Sequence, residues 1–218
     1  MYLFIFNVVV VFLFSYMSGS IPFGLLIGKF NGIDIRKYGS HNIGATNVRR
    51  VLGRDWSFVC FALDFLKGLF PVLVIELKFS GVCWGWEMII AAIGAVCGHI
   101  FPVWLRFKGG KGVATSLGVV AGIAFLPVVV GGAVWLLVFM KSRIVSLASI
   151  SAVVALSIAA FVMKLAHLSD VSWPSVGLLV LIAFLVIIRH YENIIRLYMG
   201  TENAFAKPKS EKREEGVK

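Results

Sequence analysis

Three short stretches of this 218-residue chain carry residue types that could hold phosphate groups. The first reads Gly39-Ser40-His41-Asn42-Ile43-Gly44-Ala45-Thr46-Asn47-Val48-Arg49-Arg50. Its two glycines permit positive φ and let backbone N–H groups converge, while Ser40, Asn42, Thr46 and Asn47 add neutral donors. Arg50 offers a planar fork that can grip an oxyanion with two hydrogen bonds. The second stretch, Gly98 to Thr115, places Gly109-Gly110-Lys111-Gly112 directly before an apolar segment. A helix starting there presents unpaired N–H groups and the positive end of its dipole, a seat for an anion. The third, Arg189 to Arg196, closes the last apolar segment. On a continuous helix Arg189, Asn193 and Arg196 share a face, with His190 three residues before Asn193. Each stretch also has a bland reading: ordinary interfacial arginines, a snorkelling Lys111, and an Arg196 favoured by the helix dipole.

Several familiar chemistries are excluded. The glycine-lysine run is not a Walker A loop, because the positions that need a glycine and a hydroxyl hold Leu105 and Gly112. There is no GxSxG elbow, no HExxH and no His/Cys set with metal-ligand spacing. The residues five after His41, His99, His167 and His190 are Thr46, Trp104, Ser172 and Ile195, so the His-x4-Asp pattern of many acyltransferases is absent. The sequence therefore predicts neither cofactor nor metal, and no side chain stands out as a general base. Such a site suits a reaction with a good leaving group, driven by positioning and charge stabilisation.

The elements that must position these stretches are membrane helices. The chain is 59% hydrophobic, with 18 Phe and 6 Trp, against about 45–50% apolar residues in a soluble domain. A hydrocarbon core of about 30 Å needs roughly 20 apolar residues per helix. Apolar segments cover 3–28, 56–79, 85–105, 113–140, 144–166 and 174–195. The first lacks a basic leader and a cleavage site, and reads as a retained span rather than a signal peptide. Cys60, Cys83 and Cys97 read as buried, inert thiols.

Charge sets the parity. Of 21 basic residues, 18 fall in four clusters, at 29–54, 106–111, 141–143 and from Arg189 onward. That distribution beside spans marks cytoplasmic loops rather than a nucleic-acid surface, despite a net charge of +10. An even number of passes must then separate 106–111 from 141–143. Pro127, followed by Gly131 and Gly132, offers a turn, which divides 113–140 into two short helices, 113–126 and 128–140. The expectation is an all-α, polytopic integral membrane protein with seven transmembrane helices, two of them short. Its N-terminus lies outside and its C-terminus in the cytoplasm. Residues 1–200 form a single membrane-embedded domain, and 201–218 a disordered, charged cytoplasmic tail. Inside the membrane, Gly19-Ser20-Ile21-Pro22 should kink the first helix, with Ser20 facing a pocket or a helix contact. Asp64 and Lys67, at i and i+3, should pair or line a polar cavity, with the structural pair favoured, since an isolated charge there costs about 3 kcal/mol or more.

Taken together, Gly-Ser-Ile-Pro at 19–22, the first loop through Arg50, Gly-His-x-Phe-Pro-x5-Lys-Gly-Gly-Lys-Gly-Val-Ala-Thr at 98–115 and Arg-His-x-x-Asn-Ile-x-Arg-x-x-x-Gly-Thr-Glu at 189–202 resemble the bacterial acyl-phosphate:glycerol-3-phosphate acyltransferases. The resemblance runs in order along nearly the whole chain. It implies a seven-helix inner-membrane enzyme of phospholipid biosynthesis, with its active site at the cytoplasmic face and no metal or nucleotide. Acyl phosphate and glycerol 3-phosphate would be its substrates, lysophosphatidic acid and inorganic phosphate its products. Functional coupling to the enzyme that makes acyl phosphate is implied as well. The family's functional positions fall on Ser40, Asn42, Thr46, Arg50, His99, Lys111, His190 and Asn193. Ser40 and Arg50 are assigned to the glycerol-phosphate group, with His190 and Asn193 orienting it. Lys111 and the Gly109, Gly110 and Gly112 amides are assigned to the acyl-phosphate end. Ser20, Asn47, Asp64, Lys67 and Arg196 are supporting candidates. One departure is His41, which stands where the family commonly has glycine and would be disfavoured if φ there is positive. The rival reading from another class is a transporter or exchanger for a phosphorylated metabolite.

Overall fold

In hydrocarbon, a segment can satisfy its backbone polar groups unaided only as a helix. The computed structural model describes residues 2–79 and 86–205, and among them every regular element is helical. The helices are α1 (Tyr2–Ser20), α2 (Phe23–Phe30), α3 (Ala45–Leu52), α4 (Arg54–Phe79), α5 (Trp86–Ile100), α6 (Val113–Ile123), α7 (Phe125–Ser142), α8 (Val145–Leu165), α9 (Trp173–Arg189) and α10 (Tyr191–Tyr198). Five spans are long and apolar enough to cross a membrane, counting α1 with α2 as one, and the bent pair α9–α10 makes a sixth. The apolar α6 is shorter, and its 11 residues rise only about 16 Å.

Three sequence expectations change here. The 113–140 run does divide, but at Ala124 (φ −149°). Pro127 lies in the first turn of α7, where a missing N–H removes no helical bond. Gly131 packs α7 against the Ala152 carbonyl and Leu156 of α8 rather than making a turn. Of the two helices, only α6 is short, since α7 has 18 residues. The last segment is not one straight helix either. It bends by 61° between α9 and α10, because the apolar run ends at Arg189 and the polar, amphipathic YENIIRLY that follows has no reason to stay in lipid. Finally, the tail is ordered at its start. Thr201 to Phe205 lie against the body through Glu202 and the Phe205 backbone N–H, which donates to the Arg143 carbonyl at 2.9 Å. The remainder of the tail and Cys83 lie outside the described residues. Cys60 is buried and Cys97 partly so.

Packing places α1 on α5, α4 on α6 and α7 on α8, and α9 touches α5, α6 and α8. The main apolar core joins Val72 of α4, Val96 of α5, Val119 and Val120 of α6, and Leu179 and Val186 of α9. The α1–α5 contact is close enough that a Cβ on Gly19 would strike the Ala95 carbonyl and one on Gly98 the Tyr16 carbonyl. Small residues at such crossings let helix backbones touch, which is how helices associate where lipid is the solvent. Large apolar side chains such as Phe14, Phe70, Leu137, Ile158 and Phe184 are left exposed around the helices. The expected break in the first span falls after Ser20, and α2 resumes at Phe23. Ser20 is completely buried, with no partner for its Oγ among the described residues.

Beneath the loops lies a polar layer. Lys67 Nζ is 2.7 Å from Asp64 Oδ1, and both side chains are 3% exposed. The same ammonium donates to the Ile21 carbonyl at the α1–α2 break, at 2.7 Å. The expected pair thus ties α4 to the kink in the first span.

Candidate active site

The first loop is built around Asn47. Its Oδ1 accepts from the Ser40 N–H at 2.7 Å, and its Nδ2 donates to the carbonyls of Ile35 (3.0 Å), Asn42 (2.8 Å) and Tyr38 (3.2 Å). Expected as a donor toward ligand, Asn47 is buried and its amide is fully engaged within the loop. Asn42 Oδ1 accepts from the Gly44 N–H at 2.9 Å, a turn that leads into α3. His41 does adopt positive φ (+57°), and its Nδ1 bonds the Arg36 carbonyl at 2.9 Å, a local hydrogen bond that helps hold this conformation. Thr46 stands in the first turn of α3, with Arg49 and Arg50 in its last turn.

The second loop is stitched shut at its base. The amides of Gly109 and Gly110 donate to the carbonyls of Ile100 and His99 at 3.1 and 3.2 Å, so they do not face a ligand as expected. Their own carbonyls accept from Arg189, each at 3.2 Å. Gly112 (φ +82°) opens α6, and the amides from Lys111 to Thr115 donate to no backbone carbonyl among the described residues. Free N–H groups of the kind that can receive an anion thus lie here, shifted along from the glycine pair. His99 supports this segment from behind: it is 3% exposed, with Nδ1 3.0 Å from Thr115 Oγ1. A Cβ on Gly110 would meet His99 Nε2, so the loop lies flat on the imidazole. Asp64 Oδ1 is 3.8 Å from His99 Nδ1, too far for a hydrogen bond.

The third cluster comes to the second. Asn193 Oδ1 accepts from Lys111 Nζ. Asn193 Nδ2 donates to Glu202 Oε1 at 2.6 Å, Ser146 Oγ donates to the same oxygen at 2.7 Å, and Arg196 Nε donates to Oε2 at 2.7 Å. His190 is buried at the α9–α10 bend with Nδ1 2.7 Å from the Val186 carbonyl. A carbonyl only accepts, so the proton sits on Nδ1 and Nε2 of the neutral ring is an acceptor. The bend separates the expected Arg189–Asn193–Arg196 face. Arg189 braces the glycine loop, while Asn193 and Arg196 meet Glu202.

Electrostatically, three cations crowd one inward carboxylate. Burial pulls Lys111 down to about 8; Glu202 opposes this, and Arg196 and Arg50 add to it. Burial likewise lowers Arg50, again opposed by Glu202 and assisted by Arg196. Burial works against the Glu202 carboxylate, but hydrogen bonds from Arg196, Ser146 and Asn193 bring it below its usual range. Among the described residues no hydrogen bond joins Ser40, Asn42 or Thr46 to Lys111, Asn193 or His190. Between the two loops, a cavity of about 520 Å³ is lined by Arg36, His41, Ile43, Trp104, Leu105, Arg106, Lys108 and Gly109. Sequence reasoning missed Ser146, Phe205 and the role of Glu202. Ser146 left a trace as a hydroxyl just after the Lys141–Arg143 cluster, and Glu202 as the last residue of the 189–202 motif, to which no role was given.

A cation-rich cluster at helix ends, carried on apolar helices, marks a membrane protein suited to anionic ligands, and comparison with known proteins gives its class as an acyltransferase. The family model described as glycerol-3-phosphate acyltransferase matches residues 9–200. A glycerol-3-phosphate acyltransferase of Aquifex aeolicus is 42% identical over 195 residues, covering 88% of this chain and 96% of the relative. One from Geotalea daltonii is 46% identical over 200 residues, covering 90% and 97%. The crystal structure of PlsY (YgiH), an integral membrane glycerol 3-phosphate acyltransferase, in its glycerol 3-phosphate form matches with a TM-score of 0.84 at 40% identity, covering 91% of this chain and 96% of that one. Its lysophosphatidic acid form matches with a TM-score of 0.82. The chain belongs to the glycerol-3-phosphate acyltransferase family, and is a multi-span integral membrane acyltransferase.

Proposed function

We propose that the enzyme transfers a fatty acyl group from acyl phosphate to the 1-hydroxyl of glycerol 3-phosphate, releasing inorganic phosphate and lysophosphatidic acid. The observation that carries this reading is the Lys111–Asn193 contact. It draws the glycine-lysine loop onto α10 beside His190, in a field where Lys111, Arg50 and Arg196 outnumber the carboxylates of Glu202 and Glu192. Such a surplus suits phosphate dianions, which repel one another when two are held close. Because Lys111 meets Asn193, it is reassigned from the acyl-phosphate end: Arg50 and Lys111 take the phosphate of glycerol 3-phosphate, and His190 Nε2 and Asn193 orient its hydroxyls. The donor's head approaches the amides at Lys111 to Thr115 from the bilayer side, past Trp104 and Leu105, with its tail between helices.

The hydroxyl oxygen attacks the acyl carbonyl carbon and the carbon–oxygen bond to phosphate breaks. Phosphate already leaves well, and the substrate's own phosphate accepts the hydroxyl proton, so no protein base is required. A single substitution that abolished the acid limb of the kcat profile with both affinities intact would overturn that step.

The chain crosses the bacterial inner membrane seven times, with α6 as the short crossing, its N-terminus outside and its C-terminus in the cytoplasm. Supporting this, the basic residues of α3, the second loop, the α7 end and α10 converge at one end of the helices, as the positive-inside rule requires of cytoplasmic loops. A carrier would instead gather its cations near midplane. The deciding experiment mixes purified protein with glycerol 3-phosphate and acyl phosphate, acyl-CoA or acyl carrier protein thioester in turn. Lysophosphatidic acid should form from acyl phosphate, and its absence there would reject the reading.

A further inference from the structure

Phe205 follows the last helix and lies beyond the residues matched by the family model. Its ring centroid is 4.3 Å from the Arg49 guanidinium carbon and 5.8 Å from that of Arg50. Neighbouring residues on a helix point about 100° apart, so one ring within reach of both fills the notch between them. The other side of Phe205 is held by α7: its N–H donates to the Arg143 carbonyl at 2.9 Å, and its ring meets Phe139 edge-on at 6.3 Å. The helix α3 packs on α4 and α2 and has no broad contact with α7 of its own. Phe205 therefore joins the helix that carries Arg50 to the end of α7, while Glu202, three residues earlier, joins α8 to α10.

We infer that Phe205 is a positioning residue for Arg50: its π-face draws the Arg49 guanidinium aside and backs Arg50, fixing the fork toward the Lys111 side of the site. The inference rests on the proposed assignment of Arg50 to the phosphate of glycerol 3-phosphate. An aromatic face attracts guanidinium through its quadrupole, and an aliphatic side chain of similar size does not.

The test is steady-state kinetics on the full chain in detergent, with wild type, Phe205→Ala, Phe205→Leu and Phe205→Trp. Wild-type turnover of glycerol 3-phosphate with acyl phosphate decides the functional reading first. Given that turnover, Phe205→Ala should raise KM for glycerol 3-phosphate about three- to tenfold, with kcat and the KM for acyl phosphate little changed. Phe205→Trp should restore KM and Phe205→Leu should not. An unchanged KM in Phe205→Ala, equal rescue by Leu and Trp, or a fall confined to kcat would each overturn the inference. Because Leu preserves the apolar contact with Phe139, a folding defect in the Ala variant alone leaves the Leu–Trp contrast decisive.

Discussion

Lys67 and Lys111 both sit among packed helices, and their surroundings differ in kind. Lys67 is 2.7 Å from Asp64, donates to the Ile21 carbonyl, and lies 5.7 Å from the Phe23 ring centroid. Its charge is matched, and the cluster joins α4 to a break in the first span. Lys111 has one neutral partner, Asn193, and the charges that act on it are two arginines and two carboxylates, Glu202 and Glu192, both of which Arg196 also engages. A matched charge holds helices together, whereas an unmatched one held in place is ready for an anion that arrives later.

If that contrast is right, the two lysines should fail in different assays. The largest effect is expected in stability at Lys67. Lys67→Met strands a buried carboxylate and should cost about 3–5 kcal/mol in unfolding, followed by thermal or denaturant melts in detergent. The Asp64→Asn/Lys67→Met double variant should recover most of that loss, and a single variant as stable as wild type would erase the distinction. At Lys111 the loss should appear in turnover instead. Lys111→Ala should cost kcat/KM for glycerol 3-phosphate about 2–4 kcal/mol, roughly thirty- to nine-hundredfold, with the melting curve unmoved. Arg50→Ala should behave alike, and activity within threefold of wild type would remove either residue from the site.

A smaller effect is expected where the two regions touch. Gly110→Ala pushes a Cβ into His99 Nε2, so the loop must lift from the imidazole. KM should rise by about tenfold if the strain is near the low end of overpacking costs. The smallest effect is in pH. Lys111 titrates at about 8, and its charge is present below that value and lost above it. For the free enzyme, kcat/KM for glycerol 3-phosphate should therefore decline above about pH 8, tenfold per unit at most. Lys111→Arg, if active, should carry that limb beyond pH 10, since a guanidinium stays charged there. A limb unmoved by the substitution would assign it to another group.

Much of this was legible because it is written in local pattern. The apolar runs gave the helices, the i, i+3 spacing gave the Asp64–Lys67 pair, and the glycines around His41 pointed to a left-handed turn that the backbone adopts. Other features depend on contacts that no local pattern records. The break at Ala124 reflects packing, and proline, the visible signal, is tolerated one turn later. Asn47 looked like a free donor because nothing in its neighbourhood indicates that Ile35, twelve residues earlier, would claim its amide. Glu202 closed the 189–202 motif without a visible role, yet it reaches Ser146, 56 residues away. Propensity carries no information at that range.

Glu202 and Phe205 come after all ten helices in chain order. In the proposed orientation, Arg49, Arg50 and Lys111 would emerge at the cytoplasmic face long before either residue is synthesised. While the helices are being inserted, Glu202 is not yet there to engage Arg50 and Lys111, nor Phe205 to stack on Arg49, and the cations serve first as topological signals. Partnering them last lets the same side chains first orient the protein in the membrane and afterwards serve its chemistry.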